Sequence, residues 1–331
     1  MANALDILPL HLLHVSNEIK EQIRLVYSHL RRIQKPQVDP TITALRDRIL
    51  VLIQEEVEKI DVAELHFIVT SLHLSTYAMC NQEVELLTTE MHTQAGTGDE
   101  RTQEHAVTAM LNLSICENNK SLIMAAGALD ALVEVLRAGA TMTARENAAA
   151  TLFSLSMVNG YKLAIGEKPG AISGLVALLR EGTSRGKKDA VTALFHLCFF
   201  AGNKAKVMNA GAIPVLLHLL SDERACITDD VLSILAVLAE SKDGCATIDE
   251  GKATPVLVEL LRLGSAKGKE NAVAVLLALC KHGGEHVVSS LSRMDMALPA
   301  VEALSELGSS ARAKRKASSL LKLLHMQLVS H

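Results

Sequence analysis

The sequence predicts an all-α solenoid, a row of stacked helical units, and three observations carry that expectation. First, the stretch RGKKDAVTALFHLCFFAGNKAKVMNAG (Arg185–Gly211) recurs upstream as ARENAAATLFSLSMVNGYKLAIGEKPG (Ala144–Gly170) and again as RTQEHAVTAMLNLSICENNKSLIMAAG (Arg101–Gly127). Second, the punctuating glycines Gly127, Gly170, Gly211 and Gly251 stand 43, 41 and 40 residues apart, a period of stacked helical repeats. Third, hydrophobic residues make up 49% of the chain while aromatics are only 2% and Trp is absent. A core of Leu, Val, Ile and Ala suits helices that interdigitate through small and branched side chains.

Along the chain, residues 1–92 do not share the repeat and read as a small helical bundle. Ser16-Asn17-Glu18 caps a helix from about Glu18 to Ile33, with Ile19, Ile23, Val26, Leu30 and Ile33 on one stripe, closed by Pro36 and Pro40. Further helices are expected over 43–59, 61–72 and 79–92. Residues 93–100, containing AGTGDE (Ala95–Glu100), form a seam in which glycines and acids replace the aliphatic pattern. The repeats then fill 101–327, in units of about 101–127, 128–170, 171–211, 212–251, 252–295 and 296–327. They number about five and a half, because the first lacks the element ALDALVEVLRAG (Ala128–Gly139) that opens the second.

Each full unit reads as a short, a middle and a long helix; a period near forty belongs to helical solenoids of the armadillo or HEAT type, and an armadillo-repeat right-handed superhelical solenoid is expected. A glycine ends the short helix, where positive φ is needed. Pro214 and Pro255 fall in first turns, where no backbone donor is lost. In such an array the long helix lines the inner wall. Aligning the units places Asn112, Ser154, His196, Val237, Ala278 and Lys322 in one column. Four residues earlier, on the same face, lie Thr108, Ala150, Thr192, Ser233, Ala274 and Ser318. Seven earlier lie His105, Asn147, Asp189, Asp230, Asn271 and Arg315. The alternate positions, such as Leu111, Leu113, Leu152, Leu155, Leu194 and Leu197, are apolar and belong to the core. The partner-binding groove is therefore expected at Asn112, Thr108, His105, Ser154, Asn147, His196, Thr192, Asp189, Ser233, Asp230, Asn271, Lys322 and Arg315, holding a protein or extended peptide. Lys162 and Lys204 are expected on the convex side.

Other functions find little support. A net charge of −4 implies no general pull toward nucleic acid or anionic membrane. Single-stranded nucleic acid would want aromatic platforms, and the groove columns hold none. The longest apolar run, Ala272–Cys280, is too short to span a bilayer. MANALDILPLHLLH has no cationic run before its apolar residues, so no signal peptide is expected. The six cysteines form no CxxC pair, which points to a reducing compartment, cytoplasmic or nuclear, and to thiols as small apolar fillers. No catalytic motif, metal-ligand spacing or cofactor loop is found. GTSRGKK (Gly182–Lys188) looks phosphate-friendly but reads as a turn entering a helix.

TQEHAVTAMLNLSICENNK (Thr102–Lys120), ENAAATLFSLS (Glu146–Ser156), RGKKDAVTALFHLC (Arg185–Cys198) and KENAVAVLLALC (Lys269–Cys280) closely resemble the armadillo array of plant U-box/ARM-repeat E3 ubiquitin ligases. The resemblance covers about 101–325. ALDILPL followed by SNEIKEQIRLVYSHLRR is similar to the helical domain that precedes the U-box in that family. Family members carry between these regions a U-box, opening with a Cys-Pro-Ile type motif, that binds the E2 enzyme. This sequence contains no Cys-Pro, and its helices run through the seam straight into the array. The resemblance thus implies an adaptor in ubiquitin-dependent turnover or signalling, without E2 binding by these residues. The alternative it implies is an E3 ligase of which this chain is the substrate-recognition part. Nuclear-import receptors also use armadillo repeats, but their grooves rely on Trp/Asn ladders that this sequence lacks.

Overall fold

The computed structural model describes residues 84–91, 100–221 and 227–329, and these are helical throughout, with no strand among them. The helices expected over 18–33, 43–59 and 61–72 lie outside the described residues, as does most of the seam. Within the helix expected over 79–92, residues 84–91 are described and helical.

The chain forms two compact units, one through Ala131 and one from Leu132. In the first, α1 (Glu100–Ile115) packs on α2 (Glu117–Ala125). Ala106, Val107, Met110 and Leu113 of α1 are buried, and Asn119 of α2 donates from Nδ2 to the Leu113 carbonyl at 3.2 Å. Helix α3 (Ala128–Ala138) leads into the second unit.

In the second unit the three-helix pattern runs unbroken. The long helices are α4 (Met142–Ser156), α7 (Ser184–Leu197), α10 (Thr228–Leu238), α13 (Ala266–His282) and α16 (Ala311–Val329). Between them lie the short helices α5 (Tyr161–Glu167), α8 (Ala201–Asn209), α11 (Lys242–Glu250) and α14 (Glu285–Ser292). The middle helices are α6 (Ala171–Glu181), α9 (Ala212–Leu220), α12 (Thr254–Leu263) and α15 (Ala297–Leu307). Each long helix packs on the next: α4 on α7, α7 on α10, α10 on α13, α13 on α16. The core between them is aliphatic. Ala148, Ala149, Leu152 and Leu155 of α4 and Ala190, Ala193, Leu194 and Leu197 of α7 are all inaccessible to solvent.

Four of the long helices, α4, α7, α13 and α16, begin at matched caps, while α10 starts after Ile227 without one. Thr141 accepts from the Ala144 N–H at 3.1 Å, Ser265 from Gly268 at 2.9 Å and Ser310 from Ala313 at 3.0 Å, each satisfying an amide the first turn leaves free. Each cap after the first is also held by an acid of the preceding long helix. Glu146, itself 5% exposed, accepts from the Thr183 backbone N–H at 2.8 Å. Asp229 accepts from the Ser265 hydroxyl at 2.7 Å, and Glu270 from that of Ser310. Glycine makes room for this clasp: a Cβ on Gly186 would lie 2.4 Å from Glu146 Oε1, and one on Gly268 2.8 Å from Asp229 Oδ1. Gly186 of GTSRGKK therefore serves helix-to-helix contact, as does Gly268 of GSAKGKE (Gly264–Glu270), whereas a Cβ on Gly182 or Gly264 would meet the carbonyl of Leu178 or Leu260 in the helix each one ends.

Three of the four punctuating glycines adopt the left-handed backbone expected of them, with φ of 71° at Gly127, 91° at Gly170 and 74° at Gly211. Gly251 does not: its φ is −72°, and the left-handed residue is Lys252, at 53°. Leu217 explains why a glycine stays at 251, since a Cβ there would meet its Cδ1 at 2.3 Å. The turn is thus displaced by one residue in this unit. At Gly211 a Cβ would meet nothing closer than Arg180 Nη2 at 3.6 Å, so only backbone strain opposes a side chain.

A left-handed L-residue costs about 1–2 kcal/mol, partly offset by about 0.4–1 kcal/mol of unfolded-state entropy when glycine is replaced. Lys252→Gly is accordingly expected to raise the urea midpoint, with a gain of up to about 1 kcal/mol, and Gly211→Ala to lower it by a similar amount. Movement of both variants in the same direction would show that backbone strain does not govern these turns.

Candidate functional site

The stack of long helices sets the column of sequence-aligned residues along one wall. In the second unit Ser154, His196, Val237 and Ala278 are each half-buried and Lys322 is exposed, while the next residues Leu155, Leu197, Leu238 and Leu279 are buried. In the first unit Asn112 and Thr108 are half-buried and His105 exposed, beside buried Leu113.

The positions four residues earlier are more enclosed. Ala150, Ser233 and Ala274 are buried, and Thr192 is half-buried. Their hydroxyls turn back onto their own helices: Thr192 Oγ1 donates to the Lys188 carbonyl and Ser233 Oγ to that of Asp229, both at 2.7 Å. Seven residues before the column, side chains join one long helix to the next. Asn147 is 3% exposed, and its Oδ1 accepts from Arg185 Nη2 at 2.8 Å. Arg185 Nε also lies 3.7 Å from Asp189. Asn271, 6% exposed, donates from Nδ2 to Ser233 Oγ at 3.0 Å, and Asp230 lies 3.5 Å from Lys267 Nζ. Arg315 and Ser318 are exposed on the last helix.

Aromatic side chains gather around His196, which the column alignment alone did not reveal. The Phe153 ring of α4 meets the His196 ring edge-on, with centroids 5.4 Å apart, and Phe195 meets Phe199 at 4.9 Å. Four of the five phenylalanines of the chain lie between 153 and 200, and that clustering was the available signal. Lys162, expected on the convex side, is more enclosed than a solvated surface lysine. It is 7% exposed, donates to Asn159 Oδ1 at 2.5 Å, and its Nζ stands 5.6 Å from the Phe199 ring centre. An amphipathic lysine can lay its stem along apolar surface and keep only its head hydrogen-bonded, which the repeat alignment does not encode. Lys204 bonds Glu240 at 2.6 Å.

Residues 69–331 match the profile of the plant U-box protein ARM repeat region. The chain belongs to this family. It is 51% identical over 228 residues to U-box domain-containing protein 1 of Medicago truncatula, an alignment covering 69% of this chain and 33% of that protein. U-box domain-containing protein 17 of Arabidopsis thaliana is 43% identical over 67% of this chain and 30% of its own length. The chain thus spans about a third of the length of these relatives. Among solved structures, a computationally designed armadillo repeat protein for modular peptide recognition is similar over 72% of this chain and 99% of its own, with a TM-score of 0.62 and 23% identity. A designed armadillo repeat protein in complex with the peptide (KR)4 matches over 73% of this chain and 99% of its own, with a TM-score of 0.59 and 22% identity. The fold of the repeat region is the armadillo solenoid.

The electrostatics of this armadillo wall follow from burial. Desolvation pushes the Asp189 carboxyl above its ordinary range; Arg185 opposes the rise and Glu146 adds to it. Burial holds the His196 imidazole below its usual value, and Lys162 lowers it further. The Cys198 and Cys280 thiols are pushed up to about 12 by desolvation, so they stay protonated fillers of the core. Among the described residues no three His, Cys, Asp or Glu gather as a metal site, and no helix is long and apolar enough to cross a membrane.

A histidine whose folded pKa is depressed contributes fully above its unfolded pKa of 6.5, and the contribution is lost as pH falls from there through the folded value. Stability is therefore expected to decline below pH 6.5 more in the wild-type chain than in His196→Asn, with the imidazole shifts of His196 titrating below those of a free histidine. Titration above 6.5, or parallel decline of both proteins, would refute the desolvated imidazole.

Proposed function

We propose that the chain is a protein-interaction module whose long-helix wall holds an extended segment of a partner protein, and that it serves ubiquitin-dependent turnover or signalling in the cytoplasm or nucleus. The observation that carries this reading is the column Ser154, His196, Val237 and Ala278. Each is half-open to solvent on a helix whose adjoining leucine is buried. A single polar helix face is ordinarily just solvated. A run of them in register forms a surface on which an extended chain can meet one unit after another. The designed armadillo protein in complex with (KR)4 gives this reading a precedent in the same fold. The link to ubiquitin rests on the U-box proteins to which the chain is similar. As part of such a ligase, these residues would serve substrate recognition.

The groove residues are proposed in two roles. In the second unit Ser154, Thr192, His196 and Lys322 contact the partner; His105, Thr108 and Asn112 are proposed as the equivalent contact positions of the first unit. Asn147, Asp189, Asp230, Ser233, Asn271 and Arg315 line the wall, several of them already engaged between successive helices.

The test compares His196→Ala with Arg262→Ala. Arg262 is exposed on the middle helix α12 and paired with Glu259 at 2.7 Å, so it controls for surface change away from the long helices. Loss of a contact that leaves a partner group unpaired costs about 1–3 kcal/mol, roughly 5- to 150-fold in affinity. A partner recovered by co-precipitation and then titrated in purified form should lose affinity for His196→Ala only. Equal loss in both, or loss only for Arg262→Ala, places the binding face elsewhere. A separate assay concerns activity: these 331 residues with E1 and a panel of E2 enzymes are expected to build no ubiquitin chains. Robust chain formation dependent on them would make the segment a ligase in itself.

A further inference from the structure

We propose that the occupant of the wall is an extended segment carrying a bulky apolar side chain where it crosses α7 and acidic residues where it crosses α13 and α16. The proposal rests on the binding reading above and adds the chemistry of the partner.

The apolar end is built around Phe199, which lies two residues beyond the end of α7 and whose ring centre stands 6.2 Å from that of the column residue His196. Phe199 is 60% exposed, and at the equivalent position of the preceding unit Met157 is 55% exposed. Phe199 stands edge-on to Phe195 at an interplanar angle of 78°, and Lys162 approaches its ring from a buried, hydrogen-bonded position. The ring is thus held in place while its surface stays in water. An aromatic side chain ordered before binding offers large contact area at little entropic cost, which is the character of an interface anchor. In a chain with only 2% aromatic residues, such a cluster is a local departure that packing of an aliphatic core does not require.

The other end is cationic. Helix α13 carries three Lys or Arg and α16 five, eight in all, against a single acid, Glu270, which Arg312 already pairs at 3.1 Å. The chain as a whole has a net charge of −4, so positive charge is concentrated here against the average. Lys281 and Lys322 are exposed, Lys322 in the column itself and Lys281 three residues after its member Ala278. Burial holds Lys316 below its ordinary value, neighbouring Arg312 and Lys281 lower it further, and Glu240 and Glu270 oppose the drop. At the position equivalent to Phe199 the sequence of residues along the stack is Met157, Phe199, Glu240, Lys281 and His325, apolar at one end and basic at the other. The acid in the middle, Glu240, is bonded by Lys204. Complementary charge on the partner is what such a field selects and steers.

Spacing makes the proposal specific. Packed helices stand about 8–10 Å apart, so α13 and α16 lie about 16–20 and about 24–30 Å along the stack from α7. An extended chain covers about 3.3–3.6 Å per residue, which puts the acids about five to nine residues from the apolar side chain.

The probe is a synthetic peptide of about a dozen residues with one Phe near an end and a run of Glu starting about six residues away, made in both chain directions. Control peptides replace Glu by Lys or Phe by Ser. With the full chain, the Phe/Glu peptide in one direction is expected to bind at least about tenfold more tightly than either control. That advantage should vanish in Phe199→Ser and in Lys281→Glu with Lys322→Glu, all exposed positions, and should shrink as salt is raised. Equal or tighter binding of the Lys peptide, or no discrimination among the three, including no binding at all, overturns the proposal. If His196→Ala still weakens a natural partner in that case, the binding wall stands and only its assigned chemistry falls.

Discussion

The structure depends on the clasp between an acid of one long helix and the N-terminal cap of the next. Glu146 holds the Thr183 amide, Asp229 the Ser265 hydroxyl and Glu270 the Ser310 hydroxyl. A hydrogen bond to a charged group contributes about 1.5–3 kcal/mol, about as much as one buried leucine. Since dozens of aliphatic side chains are buried, apolar burial supplies most of the stabilisation. Burial is non-directional, however, and leucines tolerate a helix sliding or turning along its neighbour. The clasp does not, because it fixes where the next helix starts and at what rotation. The wall column keeps its heading across those three steps for that reason. At the step from α7 to α10, Lys188 occupies the place that Glu146 holds on α4, and α10 starts after Ile227 without a side-chain cap.

Short helices are fastened by a related device. Asn203 of α8 is fully buried and donates from Nδ2 to the Lys162 carbonyl of the preceding short helix at 2.8 Å and to the Leu197 carbonyl at 3.1 Å. Its Oδ1 has no hydrogen-bond partner and presses on Gly166, where a Cβ would sit 1.9 Å away. One amide group therefore joins two units and closes the end of a long helix, at the cost of an unsatisfied oxygen. Stacked units gain order from such links as much as from their leucines.

Much of this was legible in the sequence because the repeat prints it several times. The forty-residue period, the helix order, the three left-handed glycines and most of the leucine positions follow from alignment of the units, since each unit solves the same packing problem; Leu111, expected in the core, is only half-buried. What stayed hidden depends on contacts that differ between units. Gly251 aligns with the other glycines but answers to Leu217, and the left-handed turn falls on Lys252. Asn147 and Asn271 share the wall face by helical period, yet Arg185 and Ser233 of neighbouring long helices engage them. Lys162 reads as a solvated lysine until Phe199 and Asn159 are seen beside it. Period arithmetic assigns a side chain to a face; it does not say what a neighbouring helix brings to it.

The separation of buried leucine from half-open column residue within each long helix bears on how such a chain changes through descent. Ser154, His196, Val237 and Ala278 differ in size, charge capacity and polarity, yet the leucine beside each is constant. Substitutions at these column positions leave the aliphatic core intact, and a segment lying along the wall would meet each with a different stretch of its own. Under the proposed binding, recognition is open to revision one position at a time while the scaffold is inherited unchanged. A duplicated copy can drift toward a new partner without first passing through an unfolded ancestor.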